Sequence, residues 1–475
     1  MLFPTVTFAL FFVVVLPLNW LLLPHRGRWS VFIITASYIF YGWWNPRFVL
    51  LLIAVTVWNQ VMGLTIHRLE DQRLRKLALA IAVGGNLGVL AYFKYTDFLL
   101  VSGENLASSV GIHVSSVIYQ ITLPVGISFF TFQAMSYIID IYRGRIEPTS
   151  WLDFAVYQSF FPHLEAGPIV RASEFLPQLR RRPDPRRVDA SLAFFLIMSG
   201  LFKKVVLSDL LSQRIVDPVF AAPSLHSGPE ALLAVYAYAA QIYCDFSGYT
   251  DIAIGLALLL GFRFPQNFNS PYAAVSIQDF WRRWHMTLSR WLRDYLYIPL
   301  GGSRRGRLNT YRNLMLTMLL GGLWHGASWT FVVWGAWHGS FLCLDHWREE
   351  RREARGLPEP VLDRRARIVR RFVTFNIVCV GWVFFRATSF LNAWDVFKQI
   401  PQHWSGPSPL VTSSVLLATF AGIACQYIPA DWMERLRTAF AGLSPAKMGL
   451  ALGIGLFLID SLGPQGVSPF IYYAF

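Results

Sequence analysis

The sequence predicts an all-α polytopic membrane protein, and three observations predict it. The 475 residues are 54% hydrophobic and 16% aromatic, with mean hydropathy +0.41. Apolar runs approaching or exceeding about 18 residues recur along the chain; a soluble domain has no need of them, and they match the length a helix needs to cross about 30 Å of hydrocarbon. The excess of 42 Lys+Arg over 28 Asp+Glu, a net charge of +14, falls in short loops at the ends of those runs, as in cytoplasmic loops of membrane proteins. Topology therefore accounts for the charge, and no nucleic-acid partner is implied.

Taken in order, membrane spans are expected at 3–23, 29–44, 48–66, 77–95, 118–142, 190–211, 231–262, 372–389, 409–428 and 448–462. Partly buried pieces near 152–170 and 313–344 bring the expected crossings to about ten to twelve. Arg26 and Arg28 follow the first span, Arg68, Arg73, Arg75 and Lys76 the third, and Arg143 and Arg145 the fifth, whereas 96–117 holds Asp97 and Glu104 with no Lys or Arg. One topology satisfies all of these: N-terminus outside, basic loops in the cytoplasm. The segments 171–187, with six Arg, and 345–371, with nine Arg against six acids, then also lie inside. The start MLFPTVTFAL lacks the positive region of a cleaved signal, so the first span is expected to remain as an anchor. Cys244, Cys343, Cys379 and Cys425 are scattered without CxxC spacing and read as small buried hydrophobes; neither a disulfide framework nor a metal site is indicated. With no repeat or low-complexity tract, residues 1–475 read as a single domain.

The run Asn313–Leu344 carries no Asp, Glu, Lys or Arg in 32 residues, yet holds His325 and His338. As one helix it would span roughly 48 Å, too long for one crossing and short for two. Gly321, Gly322 and Gly326 weaken the helix around His325, and if Arg304, Arg305, Arg307 and Arg312 are cytoplasmic, both ends lie on the same side. A re-entrant hairpin carrying an imidazole into the bilayer is the expectation. An ionisable residue at such depth is a functional-site candidate by default.

Four other stretches set polar residues in apolar surroundings. LPVGISFFTFQAMSYIIDIYRG (123–144) holds Gln133, Ser136 and Asp140, and FFPHLEAGPIVR (160–171) is expected to bring His163, Glu165 and Arg171 close together. QIYCDFSGYTDIAIG (241–255) places Asp245, Ser247, Tyr249 and Asp251 inside a span, as tunnel lining or as interhelical hydrogen-bonding groups. In 276–306, Phe280, Trp284, Leu288, Trp291 and Tyr295 recur at three- and four-residue steps, predicting an amphipathic interfacial helix flanked by Arg282, Arg283, Arg290 and Arg293. Those arginines serve as anchors among lipid headgroups, as an electropositive mouth for an anionic donor such as a coenzyme's phosphates, or as both.

His285 lies in this helix, 40 residues before His325. An isolated histidine on an apolar face is more often structural than catalytic, which sets His338, His163 and His113 aside; the glycine-broken surroundings of His325 reverse that judgement. Two imidazoles suit acyl transfer, one taking a proton from an incoming hydroxyl and the other orienting a reactant. The chain has neither the GxSxG of a serine hydrolase elbow nor the HExxH of a zinc peptidase.

The segments FFPHLEAGPIVR, YCDFSGYTDIAIGLALLLGFRFPQNFNSPY, DFWRRWHMTLSRWLRDYLYIPLGG, GGLWHGASWTFVVWGAWHG and SPFIYYAF together resemble the membrane-bound O-acyltransferase family, MBOAT, most of all its bacterial alginate O-acetyltransferase branch. The resemblance covers about 30–475. It implies a many-helix fold with re-entrant segments around a central funnel or tunnel, an invariant histidine at His325 and a second polar position at His285. It further implies acetyl-CoA as a donor substrate entering from the cytoplasm, with no permanently bound cofactor. An exported alginate-like or cellulose-like polysaccharide would be the acceptor, directly or through a periplasmic acetyltransferase, and the protein would sit in the bacterial inner membrane. Glu165 departs from the pattern, where relatives carry an uncharged residue.

On that reading neutral His325 removes the acceptor's hydroxyl proton and His285 positions the thioester or helps stabilise the oxyanion. Two alternatives stand beside it: transfer of D-alanyl or another acyl group to a cell-wall polymer, and a non-enzymatic transporter of an acyl carrier or precursor. Transporters often show paired broken helices, and this chain shows one, without a mirrored partner.

Overall fold

The computed structural model describes residues 1–112, 121–181, 183–304, 306–358, 360–466 and 468–473. His113, Arg182, Arg305, Glu359, the last two residues of the terminal motif and residues 118–120 of the fifth expected span lie outside these. The described residues form helices and no strand, and they group into two compact units, Met1–Asp189 with Leu256–Pro265, and Ala190–Gly255 with Gln266–Phe475.

The first unit contains α1 (Val6–Leu22), α2 (Arg26–Gly42), α3 (Arg47–Arg68), α4 (Gln72–Ser109), α5 (Ile127–Tyr142), α6 (Trp151–Ser159) and α7 (Ala172–Arg180). Tyr41, Leu52, Val55, Leu90, Phe130 and Ala134 form a buried core where α2, α3, α4 and α5 meet. The buried Asn59 and Asn86 pair their amides across α3 and α4 at 2.8 and 2.9 Å, as polar groups in lipid must find partners. His163 donates its Nε2 proton to the Tyr157 carbonyl at 2.8 Å, with Phe160, Phe175 and Phe264 around its ring. That is a structural role. Glu165 lies 4.0 Å from the Met1 amine, and the Arg171 backbone N–H donates to Glu174 at the start of α7.

The second unit contains α8 (Ala190–Ala221), α9 (Gly228–Leu259, through Gly255), α10 (Ile277–Arg283), α11 (Met286–Leu292), α12 (Arg307–His325), α13 (Trp329–Ala354), α14 (Arg364–Arg386), α15 (Phe390–Gln399), α16 (Ser413–Ala424), α17 (Ala430–Ala441) and α18 (Pro445–Leu462). In α9, 83% of the most apolar 18-residue window is buried, so this helix, which carries Asp245 and Tyr249, is the most enclosed of the candidate spans.

Each of the ten expected spans overlies a helix, but among the described residues only six helices are long and apolar enough to cross a membrane, or seven if Ser413–Tyr427 and Asp431–Ala441 are one bent span. The difference comes from hydropathy counting apolar residues beyond the points where helices stop. In the described part of the run 118–142, residues 121–142, the helix begins at Ile127, after Pro124 and a left-handed Gly126; in 409–428 it begins at Ser413, and α1 and α2 have 17 residues each. Val6, Leu10, Val13, Leu450 and Phe457 leave their side chains on the outside, as lipid-facing residues do.

The run folds as the expected two-helix hairpin, with helices long enough for full crossings where a shorter re-entrant element was expected. α12 and α13 pack side by side, and a β-carbon on Gly322 or Gly335 would run into the carbonyl of Phe331 or Met318 respectively. At 19 residues α12 is about 28 Å long, close to the hydrocarbon thickness. The open end of the hairpin is tied by Glu350, which accepts hydrogen bonds from Tyr311 Oη and Arg307 Nε at 2.8 Å each. Those two partners, Tyr311 first, hold its carboxyl below the ordinary carboxylate range.

Candidate active site

His325 ends α12. The backbone turns extended at Gly326, and Ser328 caps α13 by accepting from the Thr330 N–H at 3.3 Å. The imidazole is 2% exposed and ringed by Trp324, Trp334, Phe385 and Tyr472, with centroids 5.0, 5.1, 5.3 and 5.5 Å away. A cavity of about 210 Å³ runs from His325, Gly321 and Trp334 to Leu292, Arg293 and Tyr297. The next three residues, Gly326–Ser328, line a second cavity of about 540 Å³ whose other walls carry Lys204, Asp209, Asp245 and Arg386. The hairpin tip therefore separates an aromatic, largely apolar cavity from a charged one.

The expected single amphipathic helix over 276–306 is broken at His285, whose backbone is left-handed with φ 41°, between α10 and α11. Phe280, Trp284, Leu288, Trp291 and Tyr295 are all buried within the protein, where an interfacial helix would have turned them to lipid. The break turns His285, fully buried, against Phe246 at 4.6 Å and toward Trp324, the ring it shares with His325, at 6.1 Å. A continuous helix would have carried His285 round to a different face.

The bonds at His285 fix its tautomer. Asn267 Oδ1 accepts from the Thr287 backbone N–H at 3.1 Å and from Thr287 Oγ1 at 2.8 Å. A backbone N–H can only donate, so the oxygen of the Asn267 amide faces this way, and His285 Nδ1, 3.1 Å from the same atom, must be the protonated nitrogen. Neutral His285 then offers Nε2 as an acceptor. This suits positioning a reactant through one of its N–H or O–H groups, while oxyanion stabilisation would need the imidazolium. Asn267, which sequence reasoning passed over, is the residue that decides this. Replacing it with leucine strips the acceptor from two buried N–H groups and is expected to lower stability by about 1–3 kcal/mol. Thermal unfolding in detergent measures this, and a midpoint equal to wild type would show that these bonds do not matter.

Of the four arginines, Arg293 is exposed at the mouth of the smaller cavity and pairs with Asp294 at 2.7 Å. Arg283 is held by Asp279 at 2.7 Å, Arg282 is exposed and Arg290 half-buried, and none of these three lines that cavity. In α9, Asp245 lines the larger cavity and pairs with Lys204 at 2.6 Å, Tyr249 packs against Phe470 with ring centroids 4.5 Å apart and planes tilted by 45°, and Asp251 pairs with Lys203. Lys203 and Lys204 were also passed over; adjacent lysines inside an apolar run were the signal available. His338 is buried among Phe280, Trp281 and Trp334, and its ring nitrogens reach no hydrogen-bond partner among the described residues.

Comparison with known proteins places these motifs. Residues 90–347 match the model of MBOAT, the membrane-bound O-acyltransferase family. The chain is 44% identical over 380 residues to a probable alginate O-acetylase AlgI of Azotobacter vinelandii, covering 79% of this chain and 72% of the relative. It is 38% identical to a peptidoglycan O-acetyltransferase of Helicobacter pylori, covering 78% and 73%. A teichoic acid D-alanyltransferase of Streptococcus thermophilus is 29% identical, covering 56% and 69%.

Proposed function

The chain belongs to the membrane-bound O-acyltransferase family, and on that footing we propose that it moves acetyl from cytoplasmic acetyl-CoA toward hydroxyls of an exported polysaccharide. The observation that carries this is the place of His325, in the wall of one cavity and next in the chain to Gly326, which lines the other. The donor enters the smaller cavity with its phosphates at Arg293, and the acceptor comes from the larger. His325 takes the hydroxyl proton as the oxygen attacks the thioester carbon, the C–S bond breaks, and the thiolate leaves as CoA on the cytoplasmic side. His285, fully buried as the Nδ1–H tautomer and lining neither cavity, is a positioning residue that acts through Trp324, the ring it shares with His325. The acceptor is the polysaccharide itself or a periplasmic acetyltransferase that completes transfer. The protein sits in the bacterial inner membrane with its N-terminus outside.

Higher identity over more of the chain favours acetyl over D-alanyl, and membership of an acyltransferase family favours an enzyme over a transporter. The test is twofold. Membranes containing the protein should release CoA thiol from acetyl-CoA when acceptor is present, and cells lacking it should lose ester-linked acetate from their extracellular polysaccharide. Acetate at the wild-type level in such cells would remove the polysaccharide from the reading.

A further inference from the structure

We propose that Gly321 and Leu292 set the length of the acyl group the enzyme accepts, by bounding the space in front of His325. The proposal rests on the donor reading of the smaller cavity.

Gly321 precedes His325 by four residues, so the two share one face of α12, and both line the cavity. Side chains on a helix lean toward its N-terminus, which puts the imidazole over the turn that holds Gly321. Four other glycines of the hairpin are explained by packing. A β-carbon on Gly322, Gly335 or Gly326 would strike the Phe331 carbonyl, the Met318 carbonyl or the Phe331 ring, and one on Gly339 would come within 2.9 Å of Met315 Sδ. At Gly321 a β-carbon would meet only Leu292 Cδ1, at 3.3 Å, the far end of a flexible side chain.

Glycine is a poor residue for a helix interior, and here close packing does not require it. What its missing side chain leaves is open volume between Leu292 and the imidazole. The cavity, about 210 Å³, is below the roughly 300–1,000 Å³ of sites for drug-sized ligands, and its inner walls are apolar at Leu288, Leu292 and Trp334. An acyl methyl fits against Gly321 and Leu292; each added methylene must displace Leu292.

The experiment compares acetyl-, propionyl- and butyryl-CoA in membranes at matched protein level, with His325→Ala membranes as the blank. Wild type should prefer acetyl. Leu292→Ala should raise the propionyl to acetyl ratio of kcat/KM by about 10-fold or more, the scale of one methylene in a pocket. Gly321→Ala should lower kcat/KM for acetyl-CoA by about 10-fold with its thermal midpoint in detergent unchanged, and the double variant should recover to within about 3-fold of wild type; a fall in midpoint that tracks the loss would make it a packing defect and overturn the proposal. An unchanged ratio in Leu292→Ala, or a double variant no better than Gly321→Ala, overturns the proposal. Equal CoA release by wild type and His325→Ala overturns the donor reading instead, and this inference with it.

Discussion

Replacing His325 with alanine is expected to lower acyl transfer by about 10²- to 10⁴-fold, the range of a positioned general base, while the protein stays in the membrane at its normal level. The ring is 2% exposed and held by aromatic edges and faces of Trp324, Trp334, Phe385 and Tyr472. On the proposed mechanism alanine removes the proton acceptor, and it leaves α12 a helical residue at that position. The helix–helix contacts at Gly322 and Gly335 lie elsewhere on the hairpin and are untouched. Transfer measured as acetate on polysaccharide, against immunoblot of the membrane fraction, separates chemistry from folding. Normal transfer by the variant would remove His325 from the mechanism.

Lys204→Met is expected to act on the fold, lowering stability by about 3–5 kcal/mol, because removing one member of a buried ion cluster strands the others. Lys204 and Asp209 are each 1% exposed and Asp245 is 2% exposed; the amine lies 2.8 Å from Asp209 and 2.6 Å from Asp245. The same groups satisfy irregular backbone near the chain's end. Asp209 accepts from the Ser468 N–H at 3.3 Å, Asp245 from the Ile471 N–H at 3.0 Å, and Lys204 donates to the Pro469 carbonyl at 3.3 Å. Without the ammonium, two carboxylates face one another across a space they cannot both occupy charged. A large fall in thermal midpoint in detergent, with reduced protein in the membrane, is the expected result. A wild-type midpoint would show that the cluster contributes no net stability.

The helices and the hairpin were legible because each left a one-dimensional trace. Apolar runs marked the spans, and an uncharged stretch too long for one crossing, interrupted by Gly321, Gly322 and Gly326, marked the turn at His325. The buried face of 280–295 followed from its period. The break at His285 was not legible, since nothing in the order Trp284–His285–Met286 requires φ 41°; that conformation is set by Asn267, 18 residues earlier, drawing Thr287 and the imidazole to one oxygen. Likewise the choice between tunnel lining and interhelical bonding for Asp245 was not legible in 241–255, because its partner Lys204 lies on another helix. Helix ends were less legible, because hydropathy sums composition and does not register that Pro124 and the left-handed Gly126 delay a helix until Ile127.

His325 and Gly326 are neighbours in the chain, about 3.8 Å between α-carbons, and each fronts a different cavity. Two cavities of different character therefore meet at adjacent residues of the hairpin tip. On the proposed mechanism an acyl group changes sides there by exchanging one bond for another, with neither carrier molecule crossing. A substitution that loosened the tip to ease the passage of a substrate would then also weaken a barrier to water and ions.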